Sequence, residues 1–148
     1  MLTRNLGEQI QVHTIGVADQ LTTATPYVTA AIDTTSKNGG QLVIPVSATL
    51  TSGATCKIKA SISDISDNYT AYTVINPSGT YDLVATGASG GSTVNASLKF
   101  LMNFEKYQRT IKIKLESQLS TATDTFKTIP LINFTNLEYG LPDLTKVE

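Results

Sequence analysis

Between Thr93 and Phe104 the chain reads TVNASLKFLMNF, and every even position, Val94, Ala96, Leu98, Phe100, Met102 and Phe104, is apolar. A period of two turns alternate side chains to opposite faces of an extended strand, whereas a helix groups its apolar positions at spacings of three and four. Thr93, Asn95, Ser97 and Lys99 fill the opposite phase, with Leu101 as an apolar interruption. The same rule governs QLVIPVSATL, where Leu42, Ile44, Val46, Ala48 and Leu50 share a phase. It also governs CKIKASIS, where Cys56, Ile58, Ala60 and Ile62 alternate with Lys57, Lys59, Ser61 and Ser63. Segments of this kind have one apolar face each and need a second layer to bury it.

The stretch from Phe104 to Leu119 is the one place where two periods compete, because Phe104, Tyr107, Ile111, Leu115 and Leu119 also fall at helical spacing. TIKIKLES decides for a strand, since a helix would carry Ile113 well off the apolar face. Shorter strand-like runs occur in QIQVHTIGV, PYVTAAI, YTAYTVI, YDLVA and KTIPLINF. Between them stand breakers rich in Gly, Pro, Asn and Ser, of which NPSG is the strongest. TSGAT is expected to close a hairpin, and TGASGGST to form a flexible hairpin tip. Pro45, inside an otherwise regular strand, is expected to turn its missing N–H away from any partner. The reading is all-β: an antiparallel sandwich or barrel-like sandwich of about eight or nine short strands with an N-terminal arm. Residues 1–26 form the arm or an edge strand, 27–136 the sandwich and 137–148 a polar C-terminal tail.

A chain of 148 residues can bury a core without staples. Its formal charge of -1 gives nucleic acid or an anionic membrane little to attract it, so neither is an expected partner. Cys56, as the lone cysteine, excludes an internal disulfide and a thiolate zinc cluster. The first twenty residues lack a basic segment followed by an apolar run, and no stretch of about 18 apolar residues exists. The expectation is a chain without a usual secretion signal or a membrane span. The triplets beginning at Asn68, Asn95 and Asn133 then read as chance matches to a glycosylation sequon.

Chemistry-bearing residues are sparse. His13, the single histidine, has no acidic neighbour in a suggestive position, and Cys56 alternates in phase with core residues. Asp64, Asp67 and Asn68 crowd one turn, where such side chains bond their own backbone, and no completing glutamate follows to make a calcium loop. TGASGGST lacks the lysine of a phosphate loop. Lys57, Lys59, Lys112 and Lys114 can share one outer face, where charges protect a sheet from aggregation. The expectation is no catalytic, metal-binding or cofactor-binding residues and no enzymatic activity. An alternative reading, a carbohydrate-binding sandwich for surface attachment, would use Tyr69, Tyr72 and Tyr81 as stacking residues.

Three elements carry a family resemblance: Ala31-Ile32-Asp33-Thr34, the acidic turn Asp64–Asn68, and EKYQRTIKIKL from Glu105 to Leu115. In this order, over roughly Ala30 to Asn136, they resemble a family of small structural proteins of tailed bacteriophages and prophages. The chain departs from that pattern at Tyr107-Gln108-Arg109, where a tighter Arg-Tyr pair is expected, and in a longer segment before Tyr27. The resemblance implies a non-enzymatic virion protein, made in the host cytoplasm, that decorates or cements the capsid surface by binding the major capsid protein and that is able to self-associate. A tail, head-to-tail or fibre-associated component is the alternative it leaves open. For such a role Leu2, Arg4, Leu6 and Ile10 supply apolar anchors and one guanidinium on the arm, and they are the candidate partner-binding residues.

Overall fold

The structure, a computed structural model, describes residues 2–11, 26–35, 37, 39–104, 107, 109–128 and 130–139, with side chains described between 26 and 134. Eleven strands run in chain order: β1 (Leu2–Gln11), β2 (Tyr27–Val28), β3 (Ile32–Asp33), β4 (Gly39–Leu50), β5 (Thr55–Asp64), β6 (Thr73–Val74), β7 (Asp82–Thr86), β8 (Ser92–Asn103), β9 (Thr110–Leu119), β10 (Thr125–Thr128) and β11 (Leu131–Tyr139). Among the described residues the helical content is a single 3-10 turn at Ile65–Asp67. The molecule is an all-β sandwich of two antiparallel sheets.

In the first sheet β4 lies between β8 and the line formed by β10 and β11, with β1 beyond β11. In the second, β5 lies between β9 and the short strands β6 and β7, while β2 and β3 lie along the far edge of β9. The even-phase residues of β4, β5 and β8 meet between the sheets, as their alternation requires. Leu42, Ile44, Ala48, Cys56, Ala60 and Ile113 are fully excluded from solvent, and Phe126 and Phe134 are the largest of the fully buried side chains. The burial of Ile113 resolves the competition of periods in favour of the strand, because a helix would have exposed it.

More strands are present than alternation suggests, for two physical reasons. β2, β3 and β6 are two residues long, too short to carry a period. KTIPLINF is split at Pro130, yet β10 and β11 keep one register against β4, with Thr128 opposite Val46 and Leu131 opposite Val43. The break falls opposite Ile44 and Pro45, which have no partner on that side among the described pairings. Two prolines therefore share one interruption, where a missing donor costs little.

The connections differ from expectation. TSGAT does not close a hairpin: β4 belongs to the first sheet and β5 to the second, so the loop carries the chain from one sheet to the other. TGASGGST likewise joins β7 to β8 across the two sheets. Nor is its first glycine free, because Gly87 donates to Ala54 O at 2.8 Å and accepts from Gly53 N at 3.0 Å. A side-chain carbon at Gly87 would collide with the Thr51 carbonyl oxygen. Asp124 secures the same corner by accepting from Thr51 N at 3.1 and 3.0 Å and from Thr51 Oγ1 at 2.8 Å. Replacing Asp124 by alanine is expected to cost about 2 kcal/mol in urea unfolding, since three hydrogen bonds from Thr51 to one buried carboxylate are lost together.

Cys56 is the small core residue its phase predicts, and burial pushes its thiol up to about 11. In the unfolded chain the thiol ionises near its ordinary value, so between about pH 9 and pH 11 the unfolded state holds fewer protons than the folded one. This contribution to stability is present below that window and lost as pH rises through it. The urea midpoint should fall more steeply with pH in the wild type than in Cys56→Ala, and an exposed-thiol reagent at pH 8 should label Cys56 only on unfolding. Equal slopes would refute the assignment.

Candidate functional site

The outward phase of β5 and β9 forms a ladder of polar rungs: Lys57 opposite Gln118, Lys59 opposite Glu116, Ser61 opposite Lys114 and Ser63 opposite Lys112. This face is not open to water throughout. Ser61, Ser63 and Glu116 are each at least 97% buried, because the segment between β5 and β7 folds back over it. Local chemistry turns the chain there. Asp64 caps the 3-10 turn by accepting from Ser66 N at 3.0 Å and from the Ser66 hydroxyl. Asp67 accepts from Thr70 N at 3.2 Å. Asn68 and Tyr69 then adopt φ of 57° and 60°, two successive left-handed residues that reverse the chain. Tyr69 is held in that strained conformation by its N–H bond to Asp64 O at 3.1 Å and by the 2.7 Å bond between its hydroxyl and Thr110 Oγ1.

The reversal sets tyrosines against lysines. Lys112 Nζ lies 4.6 Å from the Tyr69 ring centroid, Lys114 Nζ 4.5 Å from that of Tyr72, and Lys59 Nζ 4.9 Å from that of Tyr81. Lys59 also reaches Glu116 Oε1 at 3.3 Å. Each cation meets the negative face of a ring. Burial, with the Asp67 charge second, raises the Tyr72 phenol above its ordinary value. Lys59, Lys112 and Lys114 thus form one interlocked face with Tyr81, Tyr69 and Tyr72. For a glycan-binding role this arrangement leaves at most one ring face open on each tyrosine, the other being covered by an ammonium group.

The three elements of the family resemblance converge at one end of this sheet. Ile32 and Asp33 pair with Ile111 and Thr110, and Thr34 donates from both N and Oγ1 to Arg109 O. Asp64, at the start of the acidic turn, pairs with Ile111 from the other side of β9. Asp33 accepts from Thr35 N at 2.8 Å, and the hydrogen bonds of Thr35 hold its carboxyl below the usual range. A shallow cavity of about 240 Å³ beside the turn is lined by Ile62, Asp64, Asp67, Thr73 and Tyr107 among others. Both carboxylates there serve the turn, and among the described residues no group of three or more His, Cys, Asp or Glu stands placed to hold a metal ion.

The arm candidates fall on an edge strand. Leu2 and Arg4 of β1 pair with Tyr139 and Leu137, Leu6 lies within the irregularity between Asn5 and Glu8, and Ile10 pairs with the core residue Ile132. The register against β11 changes by one residue across that irregularity. The side chains of these four candidates, His13 and residues 140–148 lie outside the described residues. No helix among the described residues is long and apolar enough to cross a membrane. Compared with known proteins, the sequence matches no family model and no curated protein.

Proposed function

We propose that the protein is a non-enzymatic structural component of a tailed-phage particle, a decoration protein that binds the major capsid lattice. The observation that carries this reading is the convergence at β3, β5 and β9 of the three elements of the phage-protein resemblance, far apart in sequence and adjacent in the fold. The architecture suits the role. The first sheet ends in two long edge strands, β1 on one side and β8 on the other. A protein that ties neighbouring subunits together needs two separated contact surfaces, and strand edges bind extended segments through main-chain hydrogen bonds.

The experiment is a binding titration of the purified protein on assembled capsids and on free capsid subunits. Saturable binding to assembled capsids with weak binding to free subunits is expected, together with a copy number in purified virions in simple ratio to the major capsid protein. Equal binding to both forms, or no binding to either, would overturn the reading, and a handful of copies per particle would move the protein to a vertex, tail or fibre. Arg4→Ala should weaken binding to the lattice several-fold if β1 makes the contact.

A further inference from the structure

We propose that the outer edge of β8 pairs antiparallel with β8 of a second copy about a two-fold axis, joining the first sheets of two molecules into one. All twelve residues of β8 pair with β4 without a register irregularity, and from Ser92 to Met102 its other edge has no strand partner among the described residues. Sheet edges are ordinarily protected by shortness, bulges, proline or charge. The second sheet follows that rule, with two-residue strands at β2, β3 and β6 and an irregularity where β7 meets β5. β8 does not: it is long and regular, lacks proline, and carries one charge, Lys99.

Its inward residues show where cover is missing. Val94, Ala96 and Leu98 are only partly buried, while their register partners Ala48, Val46 and Ile44 on β4 are at most 3% exposed. A further strand beside β8 would complete that burial.

A second copy fits this edge because the strand is complementary to itself. With Ser97 on the two-fold axis, inward residues meet inward ones: Ala96 faces Leu98 and Val94 faces Phe100 of the other copy. Outward, Thr93 faces Leu101, and Lys99 faces Asn95, so the one cation of each strand meets a neutral amide. Asn95, Ser97, Lys99 and Leu101 are all exposed, the last at 83%. A single strand pair is a small interface, so the dimer is reversible and concentration-dependent.

The register makes a prediction of opposite sign at one residue. In Asn95→Lys, two Lys–Lys juxtapositions per dimer should weaken association roughly five-fold, and in Asn95→Glu two Glu–Lys pairs should tighten it by a similar factor. Sedimentation velocity of the full chain over a wide concentration range reads both, with circular dichroism confirming the fold of each variant. A wild type that stays monomeric throughout would overturn the proposal. So would a dimer that both variants leave unchanged or shift in the same direction. Protection from hydrogen exchange, in a monomer, of the alternate β8 amides that point away from β4 would instead assign the edge to another segment of this chain. In the proposed dimer the two separated contact surfaces are the β1 edges of the two copies, and the titration above measures capsid binding separately.

Discussion

Asn76→Ala is expected to lower the free energy of unfolding by about 3 kcal/mol. Asn76 is 4% exposed and works as a piece of backbone. Its Oδ1 accepts from Ala60 N at 2.8 Å, and its Nδ2 donates to Ile58 O at 2.9 Å and to Asp82 Oδ2 at 2.9 Å. Between the points where β6 and β7 pair with β5 there is a gap in the ladder, and the carboxamide closes it, next to the Ile75 N bond to Ala60 O at 2.9 Å. Truncation leaves a buried donor and a buried acceptor without partners in the central strand of the sheet, each costing about 1–3 kcal/mol. Asn76→Asp should also destabilise, because it replaces the donating group with a second carboxylate oxygen beside Asp82. Asn95→Ala, at an exposed position, should stay within about 0.5 kcal/mol of the wild type. Equilibrium urea unfolding separates these outcomes, and a loss at Asn76 no greater than at Asn95 would show that the ladder gap is filled in some other way.

Lys59→Met is expected to cost about 2–3 kcal/mol, through its partner more than through its own contacts. The Glu116 side chain is only 4% exposed, and Lys59 is the ammonium group opposite it in register, at 3.3 Å. Removing one member of a buried pair leaves the other charge poorly solvated. Lys59 itself retains 23% exposure, which places the cost toward the lower end of the range for such pairs. The double variant Lys59→Met/Glu116→Leu should recover most of the loss, because no charge is then stranded under the loop. Lys59→Arg should fall between, keeping the charge but changing its fit against the Tyr81 ring. A double variant as unstable as the single one would mean that Lys59 acts through packing alone.

How much of this was legible depends on the range of the interaction. Strand identity at β4, β5, β8 and β9 could be read because side-chain phase is a local property: Leu42 to Leu50 reach the core on every second residue wherever the strand is placed. Hairpins could not be read the same way. TSGAT and TGASGGST have the composition of tight turns, but whether a turn folds a strand back within its own sheet or carries it to the other depends on pairings such as β4 with β8 and β5 with β9, between residues more than 40 apart in sequence. NPSG was recognisable as a breaker because Pro77 and Gly79 act locally, whereas the ladder-closing role of Asn76 depends on Ala60 and Ile58, on a strand completed before it. The lysine and tyrosine sets were each visible, and their interlocking was not, since it requires the reversal at Asn68 and Tyr69 to aim the rings.

The amino-acid sequence by itself therefore determined an all-β chain, the apolar phase of the four long strands β4, β5, β8 and β9, and the burial of Cys56. All of these follow from the pleat, which imposes a two-residue period without reference to any partner. Only the tertiary structure decided which strands are neighbours, which polar side chains stand in for missing backbone and which edges lack a strand partner among the described residues. Those choices rest on contacts between residues far apart in sequence, whose free energy appears only once the loops between them have closed.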